Sequence, residues 1–126
     1  MIPVSLISLG CPKNLVDSEY MEGMIKNEPD LKLINNPEAA RIIIINTCGF
    51  IEDAKEESIT TILEASKYKD DNCRGLIVTG CLTQRYQDEI LKEMPEVDAI
   101  LGTGNFNKII STIREVLKGK RINQIE

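Results

Sequence analysis

Apolar residues in this chain arrive in short bursts, and between the bursts they recur every third or fourth position. Ile2, Val4, Leu6, Ile7 and Leu9 make residues 2–9 a buried strand. A helix is expected next, with Asn14 as its N-cap and its end near Asn27. Asp17 and Glu19 stand in or near its first turn, where negative charge suits the dipole, and Val16, Tyr20 and Met24 recur at helical spacing to face the sheet. Glu28-Pro29-Asp30 breaks that helix. Leu31 to Ile34 follows as a short strand near an edge, and residues 35–38 as a turn.

Arg41 to Ile45 is the plainest strand, with four consecutive isoleucines that need burial on both faces, as in the middle of a parallel sheet. A long helix is expected from Ile51 to Tyr68, with Ile51, Ala54, Ser58, Ile62 and Ala65 in one stripe. Its acidic start, Glu52, Asp53, Glu56 and Glu57, reads as a solvated face matched to the dipole. Gly75 to Thr79 is a further buried strand, and Gln84 to Met94 a helix that Pro95 ends. Ala99 to Gly102 is a fifth strand, and Phe106 to Leu117 the cleanest amphipathic helix. Strands alternating with helices give an α/β fold: an open, mainly parallel five-stranded sheet with helices on both faces, in the flavodoxin-like order 2-1-3-4-5. Residues 1–121 are expected as one domain, and 122–126 as the start of a linker.

One feature recurs on this frame. Three apolar runs each end in a cysteine beside a glycine: Gly10-Cys11, Cys48-Gly49 and Gly80-Cys81. They fall at the carboxyl ends of the first, third and fourth strands, where open parallel sheets gather ligands. In the expected order those strands are consecutive, so the outer two cysteines start only about 10 Å apart. The helices that follow aim amide N–H groups at the same spot, which favours thiolate. Cys73 lies eight residues ahead of Cys81, roughly 20–26 Å away along an extended strand, and reads as an ordinary thiol.

Composition narrows the chemistry. The 126 residues contain four cysteines and no histidine, which excludes imidazole triads, Cys-His dyads and imidazole zinc sites. A net charge of −5 argues against a nucleic-acid-binding surface over this domain, with only Lys118 to Arg121 locally basic. There is no apolar run of membrane-spanning length and no secretion-signal pattern at the start, so a thiol-reducing cytoplasm is expected, with no membrane partner. Three thiolates at long spacing with a position left open suit an iron–sulfur cluster better than a closed structural zinc site. On pattern alone, zinc and merely buried or redox-active cysteines stay open.

The three motifs, Gly10-Cys11-Pro12-Lys13-Asn14, Asn46-Thr47-Cys48-Gly49 and Thr79-Gly80-Cys81, resemble those of the amino-terminal domain of the radical-SAM methylthiotransferases. The longer stretches 8–19, 48–54 and 80–86 resemble the ribosomal-protein aspartate methylthiotransferase (RimO-like) subgroup; the tRNA-modifying branch usually has Gln-Met-Asn after the first cysteine. The resemblance implies that Cys11, Cys48 and Cys81 hold an auxiliary [4Fe-4S] cluster, with Asn14, Asn46 and Thr47 shaping the motifs without ligating. It also implies sulfur transfer to an aspartate of a small-subunit ribosomal protein. The S-adenosylmethionine, a second [4Fe-4S] cluster and its C-x-x-x-C-x-x-C motif belong to a radical domain, and an RNA-binding-type (TRAM) domain completes such enzymes. Neither that motif nor a TRAM domain is in these 126 residues, so the isolated domain is expected to be inactive. A tRNA-modifying relative and a zinc-binding interaction domain are the alternatives.

Overall fold

In the computed structural model, which describes residues 2–9, 12–47, 52–70, 72–102 and 106–124, six strands form one sheet. They are β1 (Ile2–Ser8), β2 (Leu31–Ile34), β3 (Ile42–Thr47), β4 (Gly75–Gly80), β5 (Ala99–Leu101) and β6 (Ile122–Gln124). Their order is β2-β1-β3-β4-β5-β6, and every pairing is parallel. The five expected strands are all present in the expected order. Residues 122–124, expected as the start of a linker, instead form the edge strand β6, with Ile122 paired to Ala99. Only one apolar residue stands among these three, so no periodic pattern marks the strand; backbone pairing to β5 makes it.

Four helices cover the sheet: α1 (Pro12–Lys26), α2 (Glu52–Ser66), α3 (Cys81–Glu93) and α4 (Ile109–Leu117). The run of isoleucines in β3 divides between two cores, because successive side chains of a strand point to opposite faces. Ile42 and Ile44 join Met21 and Ile25 of α1 and Ile109 and Ile113 of α4. Ile43 and Ile45 join Ile62 and Ala65 of α2 and Ile90 of α3. All four isoleucines are fully buried, which explains why alternation was absent from the sequence. Among the described residues no helix is long and apolar enough to cross a membrane.

The first helix differs from expectation in two ways. It begins at Pro12, not after Asn14. Proline suits the first helical position, where its fixed φ fits and its missing N–H would have had no partner. Asp17 and Glu19 consequently fall beyond the first turn. Its buried face is Ser18, Met21 and Ile25, while Val16 and Tyr20 are 63% and 60% exposed; only Met24 of the expected stripe packs against the core.

The amino-terminal edge of the sheet is tied by charge. The Asp98 carboxylate accepts the Leu76 N–H at 2.9 Å and pairs with the Lys69 ammonium. Arg114 of α4 binds Asp30 through both guanidinium nitrogens and Glu28 at 3.1 Å, and the guanidinium holds the Asp30 carboxyl below its usual range. At the start of β4, a Cβ on Gly75 would stand 2.3 Å from Val116 Cγ1 and 2.7 Å from Ile42 Cδ1. Helix α4 can approach β4 only because that atom is missing. Overpacking of this kind costs about 1–3 kcal/mol, so Gly75→Ala is expected to lower the denaturant midpoint by that amount without changing the slope of the transition.

Candidate functional site

The carboxyl ends of β1, β3 and β4 lie side by side, and the pairing register fixes how they align. Ser8 pairs with Asn46, Asn46 with Thr79, and Thr47 with Gly80. The Leu9 N–H continues the first pairing by donating to the Asn46 carbonyl at 3.0 Å. In sequence, each of the three cysteine motifs continues directly from one of these ends. Cys11 and Cys48 lie outside the described residues. Cys81 is the first residue of α3.

Beneath these ends is a layer of buried polar groups. Asn46 Nδ2 donates to Ser18 Oγ at 2.9 Å, joining β3 to α1. Thr47 Oγ1 donates to the Thr79 carbonyl at 2.7 Å, joining β3 to β4. Thr83 Oγ1 lies 2.7 Å from the carbonyls of both Gly80 and Leu101, so it holds the first turn of α3 against the ends of β4 and β5. Ser18, Asn46, Thr47, Thr79 and Thr83 are all buried, and among the described residues no buried side-chain polar atom lacks a partner. Each of these bonds sits where a parallel ladder ends, so it replaces ladder bonds that strand geometry no longer supplies.

Gly80 locks the layer together. Its φ of 103° and ψ of −165° belong to a region essentially reserved for glycine. A Cβ there would meet the Thr47 carbonyl oxygen at 2.4 Å and Asn46 Oδ1 at 2.7 Å. Helix α3 therefore leaves the sheet at Cys81, three residues before the expected start at Gln84. Non-helical dihedrals at Tyr86 kink it, setting its first turn apart from the amphipathic body that the sequence reveals.

Ser18 and Thr83 escaped the sequence reading. Their signal was nevertheless present: Ser18, Met21 and Ile25 are spaced as one helical stripe, and a small polar residue on such a stripe needs a buried partner.

Cys73 lies at the other end of β4, two residues before the strand begins. It is 1% exposed within the core between the sheet, α2 and α3, and its thiol donates to the Gly75 carbonyl at 3.2 Å. Burial pushes that thiol up from its ordinary range. Cys73 is expected to resist iodoacetamide in the native protein at neutral pH and to react at once in denaturant, as peptide mass mapping would record. Among the described residues no three Cys, Asp or Glu side chains are grouped to hold a metal.

A family model described as uncharacterized protein family UPF0004 matches residues 3–102. The chain belongs to that family. The match runs from β1 past β5 and includes all three cysteine motifs. Curated relatives of similar sequence carry the name ribosomal protein uS12 methylthiotransferase RimO. That of Acetivibrio thermocellus is 58% identical over 117 residues, 93% of this chain and 26% of the relative. That of Caldicellulosiruptor saccharolyticus is 54% identical over 125 residues, 99% of this chain and 28% of the relative. That of Clostridium perfringens strain SM101 is 57% identical over 117 residues, 92% and 26% respectively. The chain thus spans about a quarter of the length of the curated relatives it matches. Family and relatives together bear out the resemblance to the amino-terminal domain of RimO-like methylthiotransferases.

Proposed function

We propose that this domain handles sulfur in a methylthiotransferase that modifies an aspartate of a small-subunit ribosomal protein, and that Cys11, Cys48 and Cys81 hold an auxiliary [4Fe-4S] cluster for that purpose. The observation that carries the reading is the register at the carboxyl edge. The three strand ends from which the cysteine motifs continue are neighbours, and Thr47 and Gly80 are paired residues. The donor set fits such a group: the chain has no histidine, its fourth cysteine is buried at the opposite edge, and soft thiolates at long spacing suit iron–sulfur ligation. When bound, the cluster would supply an iron without a protein thiolate, at which a sulfur atom for transfer can be held.

The chain's own residues would do the rest. Helix α1 opens immediately after Cys11 and α3 opens at Cys81 itself, so first-turn amides and the positive ends of two helix dipoles favour the thiolate forms. The glycine at position 80 brings bare backbone against the β3 end, which leaves room for a bulky group over the edge. S-adenosylmethionine and the radical that activates the target carbon would come from a radical-SAM domain, alongside a TRAM domain, in the cytoplasm.

Anaerobic reconstitution with iron and sulfide tests this. Near-equal iron and labile sulfide, with the broad visible absorption and, after reduction, the EPR signal of a [4Fe-4S] centre, are expected. Stoichiometric zinc uptake with no sulfide would instead favour a zinc-binding interaction domain.

A further inference from the structure

The buried bond between Ser18 and Asn46 is unusual for its place. Asn46 sits near the last position of β3, two residues before Cys48. Its amide nitrogen is held by a serine on the inward stripe of α1, 28 residues earlier in the chain. Its carboxamide oxygen is 2.7 Å from where a Gly80 Cβ would stand, one residue before Cys81. A side chain gripped by a helix on one side and lying flush against Gly80 on the other acts as a spacer between the ends of β3 and β4. Stability alone does not call for it: an apolar pair of similar shape would fill the space without burying an amide that must be satisfied.

We propose that Asn46, oriented by Ser18, is a positioning residue that sets the separation of the two turns carrying Cys48 and Cys81. The inference rests on the proposed thiolate site and names the residues that preorganise it. A multidentate group binds best when its donors are already spaced for it, and small misplacements are costly. The Ser18 hydroxyl fixes the Asn46 amide plane. The amide in turn limits how closely the β4 exit at Gly80 approaches β3.

The test uses the 126-residue chain carrying Cys11→Ser and Cys73→Ala, so that Cys48 and Cys81 are the remaining thiols. A short bis-thiol reagent joins them at about pH 9.5, above the ordinary thiol pKa, so the rate reports proximity and not ionisation. Asn46→Ala is expected to slow intramolecular cross-linking about tenfold. Ser18→Ala, the milder change should Asn46→Ala fail to fold, is expected to slow it in the same direction. The double variant should be no slower than Asn46→Ala alone, because both act through one bond. Ile44→Val, a cavity in the centre of β3, loses stability and should leave the rate unchanged. In the chain with all four cysteines, Asn46→Ala should also alter the EPR signal of the reconstituted protein.

Cross-linking by Asn46→Ala and Ser18→Ala at the Ile44→Val rate would overturn the inference. If the parent cross-links but the four-cysteine chain takes up no iron or sulfide, the proposed function fails, and the positioning role is judged by the cross-linking rates. A parent that does not cross-link overturns both.

Discussion

Replacing Cys11, Cys48 or Cys81 by alanine, one at a time, is expected to reduce reconstituted iron and sulfide to background, whereas Cys73→Ala keeps the full content. The asymmetry follows from topology. Cys81 opens α3 where β4 leaves the sheet, and the other two motifs continue from the adjoining ends of β1 and β3. A site with only three thiolates has no spare ligand, so each loss leaves two donors, too few to hold a cluster against exchange with solvent thiols. Cys73 is separated from Cys81 by the whole of β4, is sealed in the core and is held protonated by burial. Its removal creates a small cavity costing about 1 kcal/mol and leaves the carboxyl edge alone. Iron and sulfide assays beside far-UV circular dichroism would read both effects. If Cys73→Ala lost the cluster while Cys48→Ala kept it, the thiolate assignment would be wrong.

How much of this could be read from the residues depends on how locally each feature is encoded. The isoleucine run 42–45 specifies a central strand because nothing else buries four consecutive β-branched side chains. Strand order followed, since alternating strands and helices leave few right-handed arrangements. The orientation of α1 did not follow. Val16, Tyr20 and Met24 offered an apolar stripe, but α1 turns so that Ser18 meets Asn46, and Val16 and Tyr20 stay in water. Satisfying a buried amide across 28 residues is a tertiary requirement that no local window contains. The start of α3 was hidden for a similar reason. Its first turn is held by Thr83 reaching Leu101 on another strand, and the kink at Tyr86 keeps that turn out of the amphipathic period of the helix body. Strand β6 was missed because an edge strand of three residues is specified by the neighbour it pairs with, not by its own pattern.

The layer at the carboxyl edge makes Gly80 the position where one methyl group should do most damage. Gly80→Ala adds a Cβ that would lie 2.4 Å from the Thr47 carbonyl oxygen and 2.8 Å from the Thr47 nitrogen. Those are backbone atoms of a paired strand and cannot rotate away as a side chain can. The residue would also have to hold a φ of 103°, a strain of about 1–3 kcal/mol for anything but glycine. Overpacking adds about 1–3 kcal/mol, giving a total comparable to the lower end of a domain's whole stability. A fall in the thermal midpoint on the order of 10 °C or more is expected. Gly75→Ala, at the far end of the same strand, provides the comparison. Its clash is with the side chains of Val116 and Ile42, and it too should destabilise the fold. At a temperature where both variants are still folded, Gly75→Ala should take up iron and sulfide as the parent does. Gly80→Ala should not, because relief of its clash moves the β4 exit away from Thr47 and carries Cys81 with it. Equal uptake by the two variants would mean that the close approach at Gly80 serves stability alone and has no part in presenting the cysteines.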